Sequence, residues 1–330
     1  MLLAAALGLF FVACAKDQGD PVSPSAPDTT LPPASATGCD RTATGATPLP
    51  DLRSSYKGEG GGLYPGGSNA APSGHLQAGM ALAGSIGPLD ANGNPSASGR
   101  YVFLSIGMSN TTQEFSTFKP LADADPAKNP RLLIVDGAQG GVTGIEWASP
   151  SCPCWSTVDR RLTSAGATPQ QVTTAWLKLA NAQPTEAYPV HAQLLRDHTI
   201  AVLKNLKARY PNVRLAYLSS RIYAGYATTT LNPEPYAYES GFAVRDVVAA
   251  QLRGELSFDS ATGSAAAPWV AWGPYLWADG LRPRTDGLTW SCSDLGPDGT
   301  HPSDAGRLKV AEMLLSFLKS DPTARIWFMR

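Results

Sequence analysis

The chain has 330 residues, 43% of them hydrophobic and 16% charged, with 26 Lys and Arg against 27 Asp and Glu for a formal net charge of −1. That balance leaves no electrostatic footprint for nucleic acid, and no internal run approaches the ~20 apolar residues a membrane-spanning helix needs. Charge well below the ~25% usual for soluble domains, with 32 Gly and 28 Pro, describes an exported, loop-rich globular protein.

Leu2 to Ala13 form an unbroken run of twelve apolar or small residues, the length of a signal-peptide hydrophobic region. Phe11-Val12-Ala13-Cys14 resembles the lipobox of bacterial lipoproteins. The resemblance implies a 1–14 leader, lipidation of Cys14 and membrane contact only through that N-terminal lipid. Ala15 rather than Asp follows Cys14, which implies an outer-membrane or cell-surface location; the alternative is an ordinary export signal and a periplasmic or secreted protein. Residues 15–52 are rich in Pro, Ser, Thr and Ala and cannot bury enough apolar surface to offset chain entropy, so a flexible linker is expected there. The folded domain is expected over 53–330. Its Gly-rich opening, 53–100, reads as loops and short strands packed on the main body.

Short apolar runs at 101–107, 131–135, 174–180, 213–219 and 269–272 predict buried strands. Helices are predicted at 191–209, where Leu194, Leu195, Ile200, Val202, Leu203 and Leu206 share a stripe, at 236–256, and at 303–318 with Ser303 or Asp304 as cap. This alternation predicts an α/β protein of three layers, α/β/α, around a mainly parallel sheet. With Cys14 set aside, Cys39, Cys152, Cys154 and Cys292 are an even number, as disulfides require in an oxidising compartment. Cys152 and Cys154 flank a single Pro153 and are poorly placed to bond each other, so each is expected to bridge to one of Cys39 and Cys292. A Cys-Pro-Cys metal site is the rival; it lacks a second pair with ligand spacing, and no metal is expected.

In parallel α/β sheets, sites form where strands end and lead into helices. Gly107-Met108-Ser109-Asn110 lies at the end of the first strong strand, where a tight turn at Gly107 presents Ser109 above the sheet edge. Asp298-Gly299-Thr300-His301 precedes the last helix. An Asp three residues before a His fixes the imidazole tautomer and leaves the other ring nitrogen to take a proton from a serine. His75 is assigned to a loop, and His191 and His198 to a helix in core or solvent-facing roles. Gly140 follows the second strand and Asn181 the third, so a Gly140 N–H and the Asn181 amide are candidate oxyanion donors, with Lys178 as the fallback.

Ser109, Gly140, Asn181 and Asp298/His301, in this order at successive strand ends, resemble the four blocks of the SGNH (GDSL-type) hydrolase superfamily over roughly residues 100–320. Gly107-Met108-Ser109-Asn110 and the run Gly140 to Trp147 are similar to the sialate O-acetylesterase and acetyl-xylan esterase branch. Met108 replaces its Asp or Gln, and its Trp-x-Gln-Gly-Glu block is absent at residues 176–181. The resemblance implies an SGNH/flavodoxin-like fold and two-step acyl transfer by Ser109, His301 and Asp298. The Ser109 N–H, Gly140 N–H and Asn181 would hold the oxyanion, and no cofactor is required. The expected substrate is a small-molecule or carbohydrate ester, O-acetyl foremost. Trp147, Trp155, Trp269, Trp272, Trp277 and Trp290, with Tyr223 and Tyr226, are candidates for stacking on sugar rings. The alternative is a non-catalytic surface lipoprotein that binds a ligand on the same fold.

Overall fold

The structure, a computed structural model, describes residues 38–258 and 265–330; the expected leader, Cys14 and the linker up to residue 37 lie outside the described residues. A two-residue hairpin, β1 (Ser55–Tyr56) and β2 (Glu59–Gly60), and helix α1 (Ser73–Gly84) come first. The main body then alternates β3 (Tyr101–Gly107), α2 (Ser109–Ala124), β4 (Leu132–Asp136), α3 (Gly144–Ala148), α4 (Pro153–Ser164), β5 (Val172–Lys178), α5 (Val190–Arg209), β6 (Leu215–Ser219), α6 (Tyr236–Leu252) and β7 (Trp269–Trp272). Helices α7 (Asp304–Ser320) and α8 (Arg325–Phe328) close the chain.

The five long strands pair in the order β4-β3-β5-β6-β7, every pair parallel. All seven residues of β3 and of β5 are buried, which explains why neither alternates between apolar and polar positions: a strand covered on both faces has no solvent side, and Ser105, Thr173, Thr174 and Lys178 are buried with the rest. Because β3 connects outward to β4 while the later strands run the other way, right-handed crossovers put α2 on one face and α4, α5 and α6 on the other. Helix α7 packs on α2, and α5 packs on both α6 and α3. The predicted three-layer α/β/α fold is therefore the observed one.

Helix α2 has no side-chain cap; it is held by what it buries. Phe115 and Phe118 are fully enclosed and meet Phe103 of β3 at ring distances of 5.5 and 6.1 Å. Each such burial contributes about 1.5–3 kcal/mol. The strand-to-helix turn needs a glycine: a Cβ on Gly107 would lie 2.3 Å from the Lys178 carbonyl and 2.4 Å from Thr111 Oγ1. Register sets Gly107 of β3 level with Lys178 of β5, so the chain leaves both strands on the same edge of the sheet.

Three expectations are corrected. Residues 38–52 are packed on the domain: Cys39 is bonded to Cys292, Thr44 donates its N–H and hydroxyl to Asp279 at 2.6 and 2.7 Å, and Leu49 is fully buried. Cys152 and Cys154 bond each other rather than Cys39 and Cys292. Pro153 at the first turn of α4 bends the chain so that their Cα atoms are 5.2 Å apart, within disulfide range. The 53–100 region contains helix α1, where His75 lies buried rather than in a loop, stacked on Trp269 at 4.8 Å with Nε2 2.8 Å from the Val270 carbonyl.

Candidate active site

Ser109 is the first residue of α2, directly after the bend at Met108 that follows β3, so its N–H is one of the unpaired donors of a helix N-terminus. Its Oγ lies 2.8 Å from His301 Nε2. The other ring nitrogen, Nδ1, lies 2.5 Å from Asp298 Oδ2. Oδ1 of Asp298 accepts the backbone N–H groups of Thr300 and His301, both at 3.0 Å. Burial pushes the Asp298 carboxyl up, but those backbone bonds and the imidazole outweigh it and hold the carboxyl below its ordinary range. An ionised Asp298 makes Nδ1 the protonated nitrogen and leaves Nε2 as a lone-pair acceptor for the Ser109 hydroxyl proton. Asn110, buried beside the serine, donates Nδ2–H to the Thr300 carbonyl at 2.9 Å and ties the first turn of α2 to the histidine loop.

The loop after β4 is fastened to the end of β3. Asp136, at the tip of β4, accepts the hydroxyls of Ser105 and Thr112, each at 2.5 Å, and the Ala138 N–H at 3.1 Å. Burial nevertheless keeps its carboxyl above its usual value. Gln139 donates its N–H to the Gly107 carbonyl at 3.0 Å, and the Trp147 indole donates to the same oxygen at 3.1 Å. These bonds carry Gly140 to Ser109, where a Cβ on the glycine would lie 4.0 Å from the serine Cβ. Among the described residues no backbone or side-chain group accepts the Gly140 N–H.

Asn181 follows β5 and lines a cavity of about 270 Å³ together with Ser109, Met108, Arg221, Asn232 and His301. A larger groove of about 620 Å³, lined by Arg53, Glu59, Arg245, Asp246 and Arg253 among others, includes no imidazole. The smaller cavity is the chemically equipped one, and its place between the ends of β3 and β5 is the switch point of this strand order. The structure thus brings together Ser109, Gly140, Asn181, Asp298 and His301, although 192 positions separate the serine and the histidine.

Lys178 is not an oxyanion donor. It is wholly buried beneath the site and paired with the equally buried Glu114. Burial lowers the lysine pKa and raises that of the glutamate, each partly opposed by the other's charge. The aromatic residues named for sugar stacking are also elsewhere: all eight, from Trp147 to Trp290 with Tyr223 and Tyr226, are at most 4% exposed. Their polar atoms bond inward, as in Trp290 Nε1–H to the Leu276 carbonyl at 2.8 Å and Tyr226 O–H to the Trp290 carbonyl at 2.9 Å.

Sequence reasoning missed two residues of the cavity. Arg221, just past β6 and 1% exposed, donates Nη2–H to the Thr300 carbonyl at 3.4 Å, while its buried Nε finds no partner. Asn232 donates Nδ2–H to the Asn181 carbonyl at 3.1 Å and keeps a buried Oδ1 without a donor. Nothing in the local sequence marks either one. Of the helix histidines, His191 is buried against Glu239, and His198 Nδ1 lies 3.0 Å from Asn181 Oδ1. Among the described residues no three His, Cys, Asp or Glu side chains gather as metal ligands.

No protein-family model and no curated protein matches the chain. Similar solved structures include the YxiM protein of Bacillus subtilis, at 11% identity and a TM-score of 0.38. A gut microbial diltiazem-metabolizing enzyme follows at 13% and 0.37, and a salicylyl-acyltransferase from a tetracycline biosynthetic pathway at 14% and 0.37. The matches cover 68%, 69% and 70% of this chain and 58%, 48% and 58% of those chains, so it spans about half to three fifths of their length.

Proposed function

We propose that the protein is a serine ester hydrolase of the SGNH (GDSL) type that removes a short acyl group, acetyl foremost, from a hydroxyl-bearing alcohol such as a sugar. One observation carries the reading: the relay Ser109 Oγ to His301 Nε2 at 2.8 Å and Nδ1 to Asp298 Oδ2 at 2.5 Å. A serine hydroxyl is a weak nucleophile until a base within hydrogen-bond reach takes its proton, and that base needs a fixed tautomer.

In this mechanism Ser109 Oγ attacks the ester carbonyl carbon as its proton passes to His301 Nε2. The carbonyl π pair moves onto oxygen, where the N–H groups of Ser109 and Gly140 and the Asn181 amide stabilise it, each such donor being worth about 10²–10³ in rate. Collapse breaks the bond to the alcohol oxygen, which takes the proton from Nε2 and leaves an acyl-serine. Water then attacks that ester with its proton passing to Nε2, and the second collapse returns the proton to Ser109 Oγ and frees the carboxylic acid.

The cavity of about 270 Å³ suits a short acyl chain. Export to an oxidising compartment, with Cys14 lipidated, completes the proposal; the disulfide linking Cys39 to Cys292 is in keeping with it. The test is hydrolysis of 4-nitrophenyl acetate and of peracetylated sugars by purified protein, with Ser109→Ala expected to abolish turnover. A folded wild type inert toward short esters and unlabelled by a serine-directed phosphonate would overturn it in favour of a ligand-binding protein.

A further inference from the structure

We propose that His198 is a positioning residue that sets the polarity of the Asn181 amide, turning its N–H edge toward the reacting carbonyl. The inference rests on the proposed esterase reading and extends it to a histidine outside the triad. A carboxamide has a donor end and an acceptor end of nearly the same shape. Only the donor end stabilises an oxyanion; the acceptor end, aimed at the same place, would oppose it. Something must therefore choose between two orientations that sterics alone barely distinguish.

The surroundings of Asn181 supply the choice. His198 reaches it from the middle of α5, with Nδ1 3.0 Å from Asn181 Oδ1. When Nδ1 carries the proton it donates to Oδ1, and the amide NH2 is left for the cavity that Asn181 lines with Ser109 and His301. If the proton sat on Nε2 instead, Nδ1 would be an acceptor and would draw the NH2 toward itself, reversing the amide. The space for this contact is left by a glycine at the start of α3: a Cβ on Gly144 would lie 2.8 Å from Asn181 Oδ1. Gly144 also donates its N–H to the Ala180 carbonyl at 2.9 Å, and Asn232 Nδ2–H holds the Asn181 carbonyl at 3.1 Å. With the backbone held on both sides, the remaining freedom of Asn181 is the rotation of its side chain, which is the freedom His198 removes. His301 is thus one of two imidazoles at the site, one moving a proton and the other holding one still.

Two measurements test this, and only one needs turnover. In ¹⁵N spectra of histidine-labelled protein at neutral pH, with the His198 signals assigned by their loss in His198→Asn, Nδ1 is expected to appear protonated. A pyridine-type Nδ1 at His198 would overturn the proposal even if the protein hydrolysed nothing. In kinetics with 4-nitrophenyl acetate, His198→Leu is expected to lower kcat 10- to 100-fold with KM changed less than threefold. His198→Asn, whose side-chain NH2 can occupy the place of Nδ1–H, is expected to recover most of that loss. In Asn181→Ala the further His198→Leu change is expected to cost less than twofold, because the group it orients is gone. Full activity in His198→Leu, or equal losses from it with and without Asn181, would refute the positioning role and leave the esterase reading intact. Absence of turnover in wild type would instead count against the esterase reading, with the tautomer measurement still deciding this one.

Discussion

Asp298→Asn isolates the part of the site on which the mechanism depends most. The substitution keeps the size and shape of the side chain. The backbone N–H groups of Thr300 and His301 both sit 3.0 Å from Oδ1, so the amide oxygen of the variant is expected to stay on them. Its NH2 must then occupy the Oδ2 position, 2.5 Å from His301 Nδ1. Two donors cannot share that contact, so the ring moves its proton to Nε2 and faces Ser109 with a hydrogen where the base should be. In a fully buried triad this tautomer reversal costs roughly 10⁴ in kcat, about 5.4 kcal/mol at 1.36 kcal/mol per decade. Here the Asp298 side chain is 31% exposed, and water softens the preference. The expected loss in kcat for 4-nitrophenyl acetate is therefore about 10²–10⁴, with KM nearly unchanged. Because the Oδ1 bonds survive, far-UV circular dichroism and Tm should move little. A folded variant within tenfold of wild-type kcat would refute the reasoning.

Other consequences follow from groups outside the triad. Lys178→Met strands Glu114 as a buried unpaired carboxyl and should destabilise the fold by about 3–5 kcal/mol in urea titrations, whereas adding Glu114→Leu should restore much of the stability and leave kcat within a few-fold; a double variant that is stable but dead would return Lys178 to the reaction. Replacing both Cys39 and Cys292 by Ala opens a link spanning 253 positions and should cost up to about 5 kcal/mol by the chain-entropy argument, while the same change at Cys152 and Cys154, two positions apart, should cost far less. Thermal unfolding of the two variants under identical conditions checks the order. His75 has its pKa lowered from 6.5, mainly by burial and only partly offset by its bond to the Val270 carbonyl. Its contribution is complete above about pH 6.5 and declines as pH falls toward the lowered folded value, because the unfolded chain then binds a proton that the folded one refuses. His75→Gln should flatten the slope of unfolding free energy just below pH 6.5, and an unchanged slope would count against this account.

Much of the fold was legible because burial on both faces leaves an unambiguous trace. The runs at 101–107 and 269–272 coincide with β3 and β7, and 131–135 is within one residue of β4. The run 174–180 overshot β5, since Leu179 and Ala180 are buried but already beyond the paired region. Helix α2 left little trace: Thr111, Thr112, Ser116, Thr117 and Pro120 are poor helix formers, and the segment is helical because Phe115 and Phe118 dock on β3. At the site, Ser109 and the Asp298/His301 pair were readable from local spacing and strand ends. Lys178 misled because a lysine within an apolar strand shows its charge in the sequence, while its partner Glu114 is 64 positions away. Tryptophans near strand ends looked available for a ligand, yet their indole N–H groups serve carbonyls such as those of His75, Leu63 and Leu276. Arg221, Asn232 and His198 acquire meaning only from what the folded chain sets beside them.

The placing of Asp298 and His301 immediately before α7, the helix that packs on α2, has a consequence for the life of the chain. During synthesis Ser109 emerges 192 positions before His301, and in the proposed mechanism it has no base until the loop ahead of α7 is in place. In that mechanism a chain clipped before α7 would carry no hydrolase, and turnover would report the docking of α7 on α2.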